Sequence, residues 1–329
     1  MGNDNVIVNR WLSQKERFAD LMNGCQFQGR QVVLPDQLEK IDRGSELLVT
    51  GKEGAEKGVQ RYRDVAMRWK DEAELMVLAV ENQGRVHYAM PVRTMIYDGL
   101  TYAEQMEERW EKRGKDGNPL TRGEFLSHFQ KTDRLCPVIT LVFYYGSHPW
   151  DGSRDLHEMI FGKDMGRREE YLRKYIPNYR INLVDAERIP NIEMFQTDLQ
   201  YVLGMIKCRG EKRKILDYVD ANRSYFQQMN RDSYQALGVF LNSDKWLKGI
   251  ELSEKKGEAD VCKALEEIYE DGKMEGIAEG IEKGKAEGKA EGREEKLKEL
   301  IMKKVQKGKS LEVIAEELEE SVETIRRLM

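Results

Sequence analysis

The chain has 329 residues, with 54 Lys and Arg against 59 Asp and Glu and a formal charge of −5. That balance argues against the broad positive field of a non-specific nucleic-acid binder, so phosphate contacts must come from local patches. Residues 1–10 lack the charged start and apolar run of a signal peptide, and no stretch approaches the ~20 apolar residues of a membrane span, so a cytoplasmic, membrane-free protein is expected. Cys25, Cys136, Cys208 and Cys262 are scattered, with no CxxC pair and no histidine at metal-ligand spacing, which signals neither a zinc site nor a disulfide framework.

The length suits one core of roughly 200 to 250 residues with an appendage. Residues 9–24 set Trp11, Leu12, Phe18, Leu21 and Met22 on one helical face, with Ser13 or Asn9 as a cap. From Arg30 to Gly58 the glycines and Pro35 break the text into loops and at most a short strand. Residues 62–69 and 74–83 form two strands about a polar turn, and the run Leu75–Val80 marks a strand covered on both faces. Residues 90–112 turn helical, with Pro91 in the tolerant first turn. Val138–Tyr145 and Ile181–Val184 read as further strands, and helical segments near 191–208, 211–229 and 231–249 would cap the sheet. This order is that of an α/β sandwich whose core domain spans residues 1–252, with the helical extension from about 191.

In residues 253–294 glycine recurs every fourth position at Gly272, Gly276, Gly280, Gly284, Gly288 and Gly292, among Glu, Lys and Ala. At ~1 kcal/mol each relative to Ala, these glycines nearly cancel the gain from Glu–Lys pairs, which gives a marginal helical linker. Close packing of such helices in a homo-oligomer is the sharper alternative. Residues 295–329 end in two short helices that begin at Ser310 and Ser321. Glutamates around their turn suit a protein-contact module better than a DNA reader.

For chemistry, a turn centred on Glu72 and Ala73 sets Asp64 opposite Glu81 across the hairpin. Opposed like charges destabilise a sheet unless a cation sits between them. Alternation sends Glu81 and Gln83 to one face and Asn82 to the other, so Asp64, Glu81 and Gln83 can converge as a hard-oxygen set suited to Mg²⁺ or Mn²⁺ and to phosphodiester hydrolysis. Spacing alone favours the plainer reading, in which Asp64 pairs with Arg61 or Arg63 at the surface and Glu81, Asn82 and Gln83 are the polar exit of a buried strand.

The combination Phe18-Ala19-Asp20-Leu21, Arg61-Tyr62-Arg63-Asp64, Glu81-Asn82-Gln83 and His87-Tyr88-Ala89-Met90-Pro91-Val92-Arg93 resembles the recombination-promoting nuclease family, the YhgA-like PD-(D/E)XK transposases. The resemblance runs on through Val138–Trp150, Ile181–Asp185 and the Glu-Gly tail. It implies a restriction-endonuclease-like α/β core, a mixed sheet flanked by helices with a helical cap and tail, that cleaves DNA with Mg²⁺ or Mn²⁺ held by Asp64 and Glu81. Glutamine at 83 stands where the family motif carries lysine, and it can position water by hydrogen bonding but not by charge. Asp20 is a possible additional acid, as helix acids are in this fold.

Arg93, Arg167, Arg168, Arg173 and Lys174, with Lys163 nearby, are candidate DNA contacts, as is the cluster Lys207, Arg209, Lys212, Arg213 and Lys214. His87 and His148 have no partner at catalytic spacing and receive no role. Two functions compete: a metal-dependent DNA endonuclease, and a weak or inactive nuclease-fold protein that binds DNA or assembles with itself. Transposition is not expected, since no spaced acidic triad is visible.

Overall fold

A computed structural model describes residues 3–41, 44–50, 56–71, 74–113, 120–161, 167–242 and 258–329. The chain opens with two helices, α1 (Asn3–Leu12) and α2 (Lys15–Cys25), where the sequence suggested one over 9–24. The break falls at Ser13 and Gln14: the Ser13 hydroxyl turns back to the Asn9 carbonyl at 2.5 Å, and Gln14 is extended at φ −74°, ψ 129°. Val8, Trp11 and Leu12 of α1 are fully or almost fully buried.

A short 3-10 turn (Pro35–Gln37) leads into β1 (Leu38–Lys40), and β2 (Gly44–Thr50) and β3 (Glu56–Tyr62) form an antiparallel ribbon of their own. This ribbon corrects the expectation of loops from Arg30 to Gly58. Its glycines and charged residues hide the strand pattern, because a two-stranded ribbon needs no buried apolar face to pair its backbone groups. Then follow β4 (Val65–Asp71), β5 (Glu74–Gln83) and the long helix α3 (Met90–Arg113). The first hairpin strand therefore starts three residues later than the sequence suggested, because Tyr62 belongs to β3.

Beyond the short helix α4 (Arg122–Ser127) lie β6 (Val138–Tyr144), α5 (Leu156–Phe161), α6 (Arg167–Leu172) and β7 (Asn182–Asp185). A five-stranded sheet runs β1-β4-β5-β6-β7, antiparallel from β1 to β5 and parallel from β5 to β7. The fold is thus mixed α/β with a mixed sheet flanked by helices. In β5, Leu78, Ala79 and Val80 are 0% exposed, as a strand covered on both faces requires. A buried leucine of this kind contributes about 2 kcal/mol by leaving water.

The helical extension comprises α7 (Leu199–Cys208), α8 (Lys212–Ala221), α9 (Arg223–Phe226) and α10 (Arg231–Phe240), with the two-residue strands β8 (Met229–Asn230) and β9 (Glu258–Ala259) paired beside it. Residues 191–198 are not helical as expected; their backbone N–H groups at Gln196 and Thr197 are taken by the Asp20 carboxylate instead. The expected helix end at 249 and domain end at 252 lie outside the described residues. Two buried networks fasten these parts together. Arg17 pairs with Asp198 at 2.6 Å and also reaches Ser233. Arg63 pairs with Asp98 at 2.7 Å and donates to Thr140 of β6.

The chain divides into one unit over Met1–Ala264 and another over Leu265–Met329. The second consists of most of α11 (Val261–Gln306), with α12 (Leu311–Leu318) and α13 (Val322–Leu328). Ile301, Ile314, Ala315, Ile325 and Leu328 form its small core. The glycines of α11 are helical, and a Cβ built on any of the six from Gly272 to Gly292 meets open space. Among the described residues, no helix is long and apolar enough to cross a membrane.

Candidate active site at the ends of the central strands

The β4–β5 register pairs Val65 with Val80, which continues to Asp64 opposite Glu81, the arrangement the symmetric turn predicts. Both acids are buried, at 2% and 0% exposure. Their partners differ. Asp64 sits just ahead of β4, where its Oδ2 accepts the Asn82 backbone N–H at 2.8 Å and so extends the ladder past the strand's end. Its Oδ1 accepts from Asn9 of α1 at 3.4 Å, and the Asn82 amide donates to Asn9 Oδ1 at 2.7 Å.

Glu81 faces α3 instead. Its Oε2 accepts from Arg93 at 3.1 Å, while its Oε1 is buried with no hydrogen-bond partner. Burial first, and then the Asp64 charge, push the Glu81 carboxyl up to about 8, against the pull of Arg93 and Arg63. Alternation works as expected, with Asn82 on the opposite side from Glu81. Asp64, however, is held from α1 and Glu81 from α3, so the two acids interact through charge rather than a shared bond. Part of the counter-charge expected of a metal already comes from the Arg93 guanidinium, which also lies 5.4 Å from the Tyr97 ring centre.

Gln83 leads into a cleft of about 1110 Å³ at the carboxyl ends of the parallel strands β5 and β6, where open α/β sheets bind ligands. Its wall includes Asp4, Gln83, His87, Tyr145, His148 and Arg209. Burial, and then the Asp64 and Asp4 charges, push the Tyr145 hydroxyl up to about 12. His87 lies near Arg93, whose charge, after burial, lowers the imidazole. Gly146 passes so close to Tyr144 that a Cβ would come within 2.3 Å of its hydroxyl and 2.4 Å of its ring, and the Tyr144 hydroxyl donates to the His148 carbonyl at 2.6 Å.

Residues 122–236, about a third of the chain, match the family described as "Putative transposase, YhgA-like". This stretch is YhgA-like. The match agrees with the resemblance read from the sequence, and a transposase-like family points to a DNA-related function. The YhgA-like stretch supplies β6, β7 and the helices through most of α10, hence one wall of the cleft, whereas Asp64, Glu81 and Gln83 precede it. No curated protein and no solved structure matches the chain.

The other expected site residues fall elsewhere. Asp20 is buried under the start of α7, where it accepts from Gln196 and Thr197 backbone N–H groups at 2.9 and 2.7 Å and from the Thr197 hydroxyl at 2.6 Å. Those bonds occupy it structurally, and Asp4 is the α1 acid that reaches the cleft. Arg173 ties α6 to α5, bonding Glu169 and His157, and Lys174 is exposed. Arg167 and Arg168 open α6, but their side chains, like Lys163, lie outside those described. Arg209 donates to the Tyr145 carbonyl at 2.6 Å and pairs with Glu187 at 2.9 Å; Lys207 donates to the Ile189 carbonyl. Lys214 pairs with Glu211, and Lys212 and Arg213 are exposed.

Asp4, which the sequence did not single out, lines the cleft together with His87 and His148, to which it gave no role. Asp4 lies in a stretch that gave no clear helical face, and the histidines sit in turns whose course only the fold reveals.

As a test of a divalent ion, the donor set is two carboxylates, and among the described residues no group of three or more His, Cys, Asp or Glu is arranged around one point. Mg²⁺ is commonly held by one or two carboxylates plus water, so two suffice. The bare Glu81 Oε1 is a buried acceptor that such an ion would satisfy.

Proposed function

We propose that the chain is a metal-dependent DNA endonuclease with a PD-(D/E)XK-type site. The observation that carries this reading is the opposed, buried pair Asp64 and Glu81 beside a large cleft, with one Glu81 oxygen left without a partner. Asp64 and Glu81 would hold Mg²⁺ or Mn²⁺, which supplies Lewis-acid stabilisation of a phosphodiester under attack by water. Asn9 and the Asn82 backbone N–H fix the direction of the Asp64 carboxylate. Arg93 keeps Glu81 in place and offsets its charge. Gln83, on the cleft wall, can orient a water by hydrogen bonding without drawing its proton.

Supercoiled plasmid incubated with the purified chain and Mg²⁺ should be nicked, and chelator should stop the reaction. Asp64→Ala and Glu81→Ala should each lower the rate by at least about 100-fold, in the range expected when a group acting in the transition state is lost. Equal nicking by the variants would refute the assignment. A second reading, a DNA-binding protein without cleavage, is favoured by one feature: Arg93 already partners Glu81 as a fixed cation. Plasmid binding with no nicking in either metal would select it.

A further inference from the structure

We infer that the cleft beside the two carboxylates receives unpaired, single-stranded DNA, whose bases stack on Tyr88 and His148; the nuclease reading supplies only the identity of the ligand as DNA. The first argument is access. Asp64 and Glu81 are 2% and 0% exposed and do not themselves line the cleft, whose wall holds Asn82, the backbone partner of Asp64 and chain neighbour of Glu81. A phosphate must enter the recess to reach them. Duplex DNA carries its phosphates on a convex surface and is stiff, with a persistence length of ~50 nm, so it cannot turn one phosphate inward unless the helix opens locally, as in supercoiled plasmid. An unpaired strand bends at each nucleotide and can. The cleft's 1110 Å³ exceeds the ~300 to 1,000 Å³ of pockets for drug-sized ligands, leaving room for more than one nucleotide.

The second argument is the chemistry of the lining. Tyr88 is 64% exposed although it lines the cleft, and its hydroxyl is tethered to Asp151 at 3.3 Å. His148 is also exposed, its Nδ1 3.0 Å from the Ser147 hydroxyl. Exposed aromatic rings in a cleft serve as stacking platforms for bases of any sequence. The charges, by contrast, are balanced: Arg85 and Arg209 face Asp4 and Asp151. Arg209 is committed to the Tyr145, Gly146 and Phe240 carbonyls and to Glu187, which leaves Arg85 as the phosphate contact. One cation cannot track a duplex backbone, so stacking rather than charge must hold the strand.

The test uses the full chain in chelator with fluorescein-labelled oligothymidine of about 12 nucleotides, within known site sizes, and a duplex of equal length. Anisotropy should show the single strand bound at least about tenfold tighter, with a salt slope of about −0.7. Tyr88→Ala should weaken single-strand binding about tenfold, whereas Tyr88→Phe, which keeps the ring, should retain it. Equal or tighter duplex binding, or an unaffected Tyr88→Ala, overturns the inference. Adding Mg²⁺ to the same probes separates it from the nuclease reading. Selective single-strand binding without cleavage removes the nuclease and leaves this inference standing; duplex cleavage at the single-strand rate does the reverse.

Discussion

At the carboxyl end of β5 the two acids of the pair are held differently. Toward α1, Asp64 has an amide donor on each oxygen, Asn9 on one and the Asn82 backbone on the other. Toward α3, Glu81 has a guanidinium on one oxygen and nothing on the other. Neutral amides fix where a carboxylate points without changing the local charge. An ion pair offsets charge but leaves the second oxygen a bare acceptor in a dry setting, a cost of about 1 to 3 kcal/mol. The Asp64 side is therefore built for direction, and the Glu81 side is held in reserve for another cation or a proton.

The largest expected effect comes from Glu81 itself. Its carboxyl, pushed to about 8 from an ordinary 4.5, holds a proton in the native state between those values. The stability it contributes is complete below pH 4.5 and is lost as pH rises through 8. In chelator, urea unfolding should show the wild type losing roughly 2 to 4 kcal/mol between pH 5 and 9, while Glu81→Gln stays nearly flat. Parallel slopes for the two proteins would mean that Glu81 is not the buried titrating group.

Next, Arg93→Ala should destabilise by about 2 to 3 kcal/mol at pH 8.5, because the buried carboxylate loses its counter-ion. The loss should shrink at pH 5, where Glu81 is neutral; a pH-independent loss would assign Arg93 to packing on Tyr97. Asn9→Ala should cost about 1 to 2 kcal/mol at either pH, since it removes hydrogen bonds and no charge. A pH-dependent loss there would erase the contrast between the two sides. Last, the Asn9→Ala and Arg93→Ala effects should add within about 0.5 kcal/mol, as expected of residues that hold different carboxylates, and a larger discrepancy would measure coupling between Asp64 and Glu81.

The hairpin register, the strand covered on both faces at Leu78–Val80 and the helix from Met90 were legible in the sequence, because each rests on local periodicity. The ribbon of β2 and β3 was not, since its backbone pairing leaves no apolar alternation to read. Within the site, the opposition of Asp64 and Glu81 followed from counting residues about a turn. What counting could not give was direction: which helix approaches, and that Asn9 and Asp4 of α1, rather than Asp20 of α2, are the residues it presents. Asp20 lies in a clear apolar periodicity, which made its helix visible, but its partners at Gln196 and Thr197 are some 176 residues away in the chain. The basic residues show the same limit. Arg209 looks like a phosphate contact in a Lys/Arg cluster, yet it serves as the donor to a set of loop carbonyls.

An ordinary helix frays from its ends. In α11 the order is reversed, because Ile301 near its C-terminal end is clamped under Ile314 and Ile325 while Gly272 to Gly292 face open space and carry the poorest helix former short of proline. Melting should therefore begin in the interior of the helix, so that amide protons near Gly280 exchange before those near Ile301, and a protease should cut the rod in its middle and leave the C-terminal bundle whole.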